Sequence, residues 1–358
     1  RLAAGAGRQA SELCIDTTGT GATGLVFADA QGILSGLTIN ATGAWAHDLL
    51  AATPGTASVA GPAPRVRSEG IYLVTRKLSD VMVLTVSAHG HFSFAPWRGH
   101  SLVGPTETPY HGPVDEWRLT RRSIEDFLAS IAAKNTAGVQ LGIEDVVSAY
   151  GGLRPLTESA EVDTYTASRA SELVDHARDG ISGLMSAMGG KYTSSRAFAE
   201  RIVNRLAEPL GASIRQSQTA ERPLDGCGLE SLPSAAEAAA ARAGQRGWSP
   251  ELGRLLVQLY GTHAEDVLAL ADDDSRLARP GTPDGEPLAT AAWAVRHESV
   301  VHLTDVLLRR TGLGQFGDPG EDTLQAVADI AADGLSWSPT RRAEELAAAR
   351  RVVGIPID

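Results

Sequence analysis

Three basic residues stand beside or beyond glycine pairs, where an anion could bind. Arg154 follows one pair after a predicted strand, and Lys191 follows a second pair, Gly189-Gly190, that leads into a predicted helix. Arg169 lies fifteen residues beyond Arg154. A helix N-terminus carries partial positive charge, and arginine presents a fork of donors that matches phosphate. Each residue alone is more typical of a solvated surface charge, but the three together predict a phosphate site.

The small-residue turn Asn40-Ala41-Thr42-Gly43-Ala44-Trp45 is a further candidate, because it follows a predicted strand. Small residues allow the backbone to approach a ligand closely. We therefore expect this turn to line a binding site.

Two well-known motifs occur in the sequence, but their surroundings and spacing do not fit the corresponding binding sites. Gly19-Thr20-Gly21-Ala22-Thr23-Gly24 spells GxGxxG, but a strand and turn follow it, whereas a dinucleotide loop must lead into a helix. His297 and His302 are five residues apart. On a helix they would point roughly 140° apart, so they cannot grip one zinc ion. His89 and His91 share a face of a predicted strand without an obvious carboxylate partner, and we expect no metal site.

Composition excludes several classes of protein. The net charge of −11 argues against a nucleic-acid binder, and no apolar run reaches the length of a membrane span. Two cysteines, Cys14 and Cys227, are too few for a disulfide scaffold, which favours a reducing, cytosolic compartment. Only three of the 32 basic residues are lysines, and Lys191 is one of them.

The elements that position these residues fall into an α/β pattern. The first residues, with Leu2, Ala3, Ala6, Ala10 and Leu13, predict a helix. Segments 71–75, 81–86 and 92–95 are β-rich and predict an antiparallel sheet. A helix over 119–133 and a strand over 145–150 follow.

Beyond Lys191 the pattern becomes helical. A helix carries Phe198, Ile202 and Leu206 on one face, and Pro209 ends it. After a linker rich in Gly, Pro and Ser, Ser-Pro pairs at 249–250 and 338–339 predict helix starts. Residues 262–265 (Thr-His-Ala-Glu) predict a capping box.

With these motifs in order, the chain resembles the FAD-dependent glycerol-3-phosphate dehydrogenase family, which is related to glycerol-3-phosphate oxidase. The resemblance runs from about residue 37 onward. It rests on six segments: 40–45 (NATGAW), 92–97 (FSFAPW), 103–110 (VGPTETPY), 145–156 (DVVSAYGGLRPL), 189–193 (GGKYT) and 294–311.

The resemblance implies a reaction and its residues. Glycerol 3-phosphate would be oxidised at its secondary alcohol to dihydroxyacetone phosphate, with FAD as cofactor and a quinone or another acceptor taking the electrons. Arg154 and Arg169 would clamp the phosphate, and Lys191 would lie beside flavin and substrate. The residues implied to contact the flavin are Thr42, Gly43, Gly189, Gly190 and Thr193.

Two departures from the family pattern raise a second hypothesis. The family's N-terminal strand with its glycine-rich FAD fingerprint has no counterpart here, so we expect a fragment of a larger enzyme. Where the family has a histidine as probable base, this chain has Tyr72. With a reference pKa of about 10 against about 6.5, tyrosine is the poorer base near neutral pH. The alternative is a truncated or non-catalytic relative that acts as a phosphate-binding or interaction scaffold.

The implied architecture has four parts. Residues 1–60 and 145–208 form a partial FAD-binding, Rossmann-like domain, and 61–144 form an antiparallel substrate-binding cap. Residues 209–233 are a linker to an all-helical C-terminal domain over 234–358. By analogy with the family we expect a cytoplasmic protein that contacts the inner face of the membrane, and a homodimer. Four arginines (Arg341, Arg342, Arg350 and Arg351) could meet anionic lipid, although from sequence alone they are more typical of a solvated face.

Overall fold

The fold is described from a computed structural model. The structure describes residues 10–15, 22–27, 32–56, 67–87, 90–133, 138–154, 171–189, 191–207, 210–211, 213 and 215–356. The chain divides into two compact units. The first contains Arg1–Gly70, Thr106–Arg118 and Gly151–Arg222, and the second contains Ile71–Pro105, Leu119–Tyr150 and Pro223–Asp358. The four-part division expected from sequence stays a prediction.

The first unit begins with a three-stranded antiparallel sheet. Its strands are β1 (Ala10–Ile15), β2 (Ala22–Phe27) and β3 (Gly32–Leu34), paired in sequence order. The predicted N-terminal helix is therefore wrong at residues 10–13, and residues 1–9 lie outside the described part. Pairing with β2 and burial of Leu13 outweigh the weak helix preference of these alanine-containing residues.

A second small sheet of the first unit positions the candidate turns. Its order is β11 (Glu172–Asp175), β12 (Leu184–Met188) and β4 (Thr38–Asn40), and β12 and β4 are parallel. Helix α1 (Ala46–Ala52) follows β4, and α3 (Ser195–Leu206) follows β12. Leu13, Leu50, Ile181 and Leu184 form the core beside this sheet.

The third sheet has six strands. They are β5 (Arg67–Arg76), β6 (Val83–Ser87), β7 (Gly90–Trp97), β8 (His100–Gly104), β9 (Thr108–Tyr110) and β10 (Val146–Arg154). The order is β10-β5-β8-β7-β6, with β9 beside the start of β5. The pairings of β5 to β9 are antiparallel, which confirms the predicted sheet. In the second unit, α2 (Arg121–Ala133) places Phe127 edge-on against Phe92 of β7, with ring centroids 6.0 Å apart.

The rest of the second unit is helical, as predicted. Its helices are α4 (Leu232–Gln245), α5 (Pro250–Tyr260), α6 (Ala264–Asp273), α7 (Ala289–His297), α8 (Leu303–Asp305), α9 (Glu321–Leu335) and α10 (Pro339–Arg350). Their core is aliphatic and alanine-rich, with Leu256, Val267 and Leu303 almost fully buried. The α/β fold class with a helical C-terminal part is confirmed.

The predicted helix starts are confirmed at two sites and wrong at a third. Ser249 and Ser338 cap α5 and α10, each before a proline at the first helical position. The capping box at 262–265 is absent. Thr262 lies inside a 3-10 turn, so His263 takes the cap position, and its ring bonds to carboxylates instead.

Candidate functional site

Two of the predicted turns lie at one edge of a sheet. Strands β4 and β12 are parallel neighbours, with Asn40 opposite Ser186. Residues 41–43 follow the first strand, and Gly189 follows the second, with Lys191 two residues further on. Ligands of open α/β sheets bind outside the carboxyl ends of parallel strands. The structure thus brings Thr42-Gly43 to the same sheet edge as the turn that carries Lys191.

The buried side chain of Asn40 builds the first turn. Its Nδ2 donates to the carbonyl oxygen of Ala46 at 2.8 Å, and its Oδ1 accepts from the Thr42 hydroxyl at 2.7 Å. Gly43 has a φ of 62°, a left-handed value that glycine adopts without strain. Among the residues that the structure describes, none comes within 4 Å of a Cβ atom placed at Gly43, so this turn presents bare backbone to them.

The second turn feeds a helix start. Lys191 is extended and exposed, and a 3-10 turn (Tyr192–Ser194) containing exposed Thr193 leads into α3. The side chain of the capping residue Ser194 makes no hydrogen bond to the first backbone amides of this twelve-residue helix. The positive end of the helix dipole at this start favours negative charge. Gly190 and Arg169, which the sequence also predicted for this site, lie outside the described residues.

Arg154 is the last residue of β10, not the first residue after it. Its Nη1 donates to the Ser68 hydroxyl at 2.9 Å and to the Glu69 carbonyl at 3.0 Å, and its Nη2 donates to the Thr106 carbonyl at 2.9 Å. These three acceptors are neutral oxygens. They fix the orientation of the guanidinium, and an oriented guanidinium suits the recognition of an anion.

A chain of tryptophan hydrogen bonds connects the Arg154 site with the first turn. Trp45, directly after that turn, donates its indole N–H to Asp115 at 2.8 Å. Two residues on, Trp117 donates to the carboxylate of Glu69 at 2.6 Å. The same Glu69 accepts from Arg154 through its carbonyl oxygen. The first turn and the Arg154 site are thus both connected by hydrogen bonds to one short segment of the first unit, residues 115–117.

Sequence reasoning missed the partners of Arg154. Ser68 is fully buried and Glu69 nearly so, on a strand whose next residue is Gly70. An isolated glycine within a strand indicates close approach by another group, and this signal was available in the sequence. Only the fold shows that the approaching group is Arg154.

Tyr72, the predicted base, lies on β5 in the second unit. Its ring stacks on Tyr150 with centroids 5.6 Å apart and planes 13° apart. Burial raises the pKa of Tyr150 above the ordinary tyrosine value, and the neighbouring Tyr72 adds to the shift. The structure therefore gives Tyr72 a fixed ring orientation, and its role as a base stays a prediction.

The structure also shows the surroundings of the C-terminal arginines and of possible metal-binding groups. Three of the four C-terminal arginines form ion pairs within the second unit: Arg341 with Glu345, Arg342 with Asp329 and Arg350 with Glu321. In the described ranges, no three histidine, cysteine or acidic side chains are arranged to hold a metal ion. Nor does any helix of those ranges combine the length and apolarity needed to cross a membrane.

Comparison with known proteins places this geometry in a family. Residues 5–196 match the family model of the FAD dependent oxidoreductases, and residues 217–342 match the C-terminal domain of alpha-glycerophosphate oxidase. The first match alone covers more than half of the chain. It includes both turns and Arg154.

Individual relatives agree. Glycerol-3-phosphate dehydrogenase 2 of Mycobacterium tuberculosis is 29% identical over 307 residues, which are 84% of this chain and 50% of that protein. Glycerol-3-phosphate dehydrogenase of Synechocystis is 30% identical over 247 residues, 68% of this chain and 44% of its own. The chain therefore spans about half the length of the curated relatives it matches.

A solved structure shows the same fold. The glycerol-3-phosphate dehydrogenase from Bacillus halodurans, determined in complex with FAD, aligns with a TM-score of 0.76 and 24% identity over 98% of this chain and 69% of that chain. The resemblance predicted from the six sequence segments is confirmed by the family models and relatives. The chain belongs to the family of FAD-dependent oxidoreductases, and within it the chain is similar to glycerol-3-phosphate dehydrogenases.

Proposed function

We propose that this chain carries the substrate side of an enzyme that uses FAD to oxidise sn-glycerol 3-phosphate to dihydroxyacetone phosphate. One observation carries the proposal: two ligand-type turns share the carboxyl edge of the parallel strands β4 and β12. The named relatives support the substrate, and the FAD complex of the Bacillus halodurans protein supports the cofactor.

The residues at this edge fit a flavin. Thr42, Gly43 and Gly189, with Gly190, would hold it, because no described residue lies within 4 Å of the Cβ position of Gly43, where a flat ring can approach. Lys191 and the start of α3 near Thr193 would stabilise negative charge on the ring. When bound, FAD supplies the acceptor for two electrons and the protein supplies position and electrostatics.

Arg154 is proposed to bind the substrate phosphate together with Arg169. The hydroxyl and two carbonyls that hold its guanidinium define one orientation before substrate arrives. Such preorganisation reduces the entropy lost on binding. The phosphate then places the secondary alcohol for oxidation.

Tyr72 is proposed to take the proton of the secondary hydroxyl while the hydride leaves the same carbon. A quinone or another acceptor would receive the electrons, and contact with the inner face of the membrane and homodimer formation belong to the same proposal. The internal ion pairs of three C-terminal arginines support a solvated face instead of a lipid contact there.

The test is flavin binding followed by reduction. The purified chain is mixed with FAD, and the absorption spectrum of bound flavin is recorded before and after anaerobic addition of glycerol 3-phosphate. We expect stoichiometric flavin, bleaching by glycerol 3-phosphate but not by glycerol, and reduction of a dye. Arg154→Gln should abolish this preference for the phosphate, whereas Arg196→Gln, at an exposed position of α3, should not. Bleaching by glycerol at an equal rate would refute the substrate.

The presence of Tyr72 where the family has a histidine also favours a second candidate function, that of a phosphate-binding relative without redox activity. In that case calorimetry would show glycerol 3-phosphate binding that depends on Arg154 while FAD is not taken up. Tight stoichiometric FAD binding would exclude this candidate.

A further inference from the structure

The helical part of the second unit contains a groove that the proposed oxidation does not use. It has a volume of about 1080 Å³ and lies between α5, α6, α7 and the segment over residues 225–232. This volume slightly exceeds the roughly 300–1,000 Å³ of ordinary ligand pockets, and the groove is partly open to solvent.

An aromatic cluster forms one wall. Trp293 of α7 stacks on His297 with ring centroids 4.0 Å apart and lies 5.3 Å from the ring of His263. Tyr260 meets the same indole edge-on at 6.3 Å. The half-buried indole thus keeps a fixed orientation within the groove lining.

Carboxylates surround this wall. His263 bonds through one ring nitrogen to Asp225 and through the other to Asp266, each at 3.1 Å, so one oxygen of each carboxylate is oriented. The carboxylates themselves are 95% and 63% exposed. Glu298 accepts a hydrogen bond from the Trp293 side chain, and burial raises its pKa. Among the described lining residues there is no lysine or arginine.

Apolar side chains complete the groove. Leu232 and Leu259 line it with about half and two fifths of their surfaces exposed, 51% and 39%, and Val257 lies buried beside them. Exposed leucines beside a cavity are typical of binding surfaces. They require a ligand with its own apolar surface.

We propose that this groove binds an arginine-bearing, partly apolar peptide segment of a partner protein. Aromatic faces attract cations, and a guanidinium in particular stacks on an indole while its donors reach carboxylates. The exposed oxygens of Asp225 and Asp266 provide those acceptors, and Leu232 and Leu259 cover the apolar neighbours of the arginine. Three carboxylates (Asp225, Asp266 and Glu298) line the groove against two imidazoles and no described lysine or arginine. The acidic groups therefore outnumber the basic ones, which makes the groove complementary to a cationic segment.

The experiment is calorimetric titration of the purified chain with a short peptide of alternating leucine and arginine with blocked termini. Three comparison ligands are used: the peptide with citrulline in place of arginine, the peptide with glutamate, and free arginine amide. We expect saturable binding of the arginine peptide, about tenfold weaker binding or more with citrulline, and none with glutamate. Trp293→Leu and Asp266→Asn should each weaken binding by a similar factor, and Asp126→Asn on α2 should not.

The outcomes decide the proposal independently of the oxidation. Equal affinity for the arginine and citrulline peptides would refute cation recognition. Equal affinity for free arginine amide would refute a peptide as the occupant. If Trp293→Leu lowers the melting temperature, Glu298→Gln, which keeps the acceptor for the indole, tests the same wall. Flavin content serves as an unrelated readout that none of these variants should change.

Discussion

Gly70 lies against the guanidinium of Arg154: a Cβ atom at Gly70 would stand 2.2 Å from Nη2 of Arg154. No side chain other than hydrogen fits there with Arg154 in place. Because the colliding atoms are the far end of a flexible side chain, the arginine would move and the strand would persist. Gly70 thus determines where the positive charge of the candidate phosphate site lies.

We therefore expect Gly70→Ala to raise KM for glycerol 3-phosphate about 10- to 100-fold. This range corresponds to the loss of one charge-assisted hydrogen bond, about 1.5–3 kcal/mol. Flavin content and kcat should change little, since the candidate flavin residues Thr42, Gly43 and Gly189 are untouched. Steady-state dye reduction over a range of substrate concentrations measures the split.

Gly36→Ala is the matched control, because a Cβ atom there meets nothing within 4 Å and the backbone is not left-handed. It should behave like the unchanged chain. An unaltered KM in Gly70→Ala would show that the observed position of Arg154 does not matter for the phosphate.

Asn40 predicts a graded effect on flavin binding. Asn40→Ala removes the bond to Ala46 and both bonds from Thr42, each of which contributes about 0.5–1.5 kcal/mol. Thr42→Val removes only the hydroxyl bond. We expect FAD affinity to fall by about tenfold or more in Asn40→Ala and by less in Thr42→Val. Fluorescence titration of FAD measures both, and equal affinities in all three proteins would contradict a role of this turn.

Tyr72 predicts a shift in the pH–rate profile. Tyr72→His should move the pH dependence of flavin reduction to lower pH, because an imidazole has a lower reference pKa than a phenol. Tyr72→Phe keeps the ring on Tyr150 and should lose the pH dependence that a base at this position causes. Stopped-flow reduction from pH 6 to 10 gives the profiles. Tyr150→Phe, which preserves the stack, is the control, and a Tyr72→Phe profile like the unchanged one would exclude Tyr72 as the base.

Arg98 predicts a stability effect in the second unit. It pairs with Asp284 at 2.5 Å and with Glu286 at 2.8 Å, and the Glu286 side chain is only 1% exposed. Arg98→Met would leave a buried carboxylate without its cation, which costs about 3–5 kcal/mol. Adding Glu286→Gln should restore part of this loss. Urea unfolding measures the free energies, and a cost below about 1 kcal/mol for Arg98→Met would contradict the assignment.

His263 predicts a pH dependence of stability. Hydrogen bonds to Asp266 and Asp225 raise the pKa of His263 above its ordinary value. The imidazolium therefore contributes stability that is fully present below pH 6.5 and is lost as the pH rises through the raised pKa. We expect the melting temperature of the unchanged chain to fall between pH 6 and 9 through this loss, and the melting temperature of His263→Gln to lack that decline. Parallel curves for the two proteins would show that the bonds carry no net stabilisation.

Local sequence patterns predicted many elements well. The β-rich segments over 71–75, 81–86 and 92–95, the helix now bounded by Arg121 and Ala133, and the Ser-Pro starts at Ser249 and Ser338 follow from propensity and capping within a few residues. The helix predicted near Leu13 was wrong, because its strand pairing is non-local. The prediction of a capping box starting at Thr262 was wrong because a 3-10 turn moves the N-cap of the helix by one residue.

The sequence by itself also determined which residue types stand at the candidate site: glycines in turns, arginine at a strand end and a tyrosine where the family has histidine. Only the tertiary structure decided which of these residues become neighbours. The parallel pairing of β4 with β12 joins turns that are nearly 150 residues apart in the chain, and the strand of Gly70 receives Arg154 from β10. Propensity and periodicity act over a few residues, whereas these contacts depend on strand pairing across the whole unit, which local patterns do not encode.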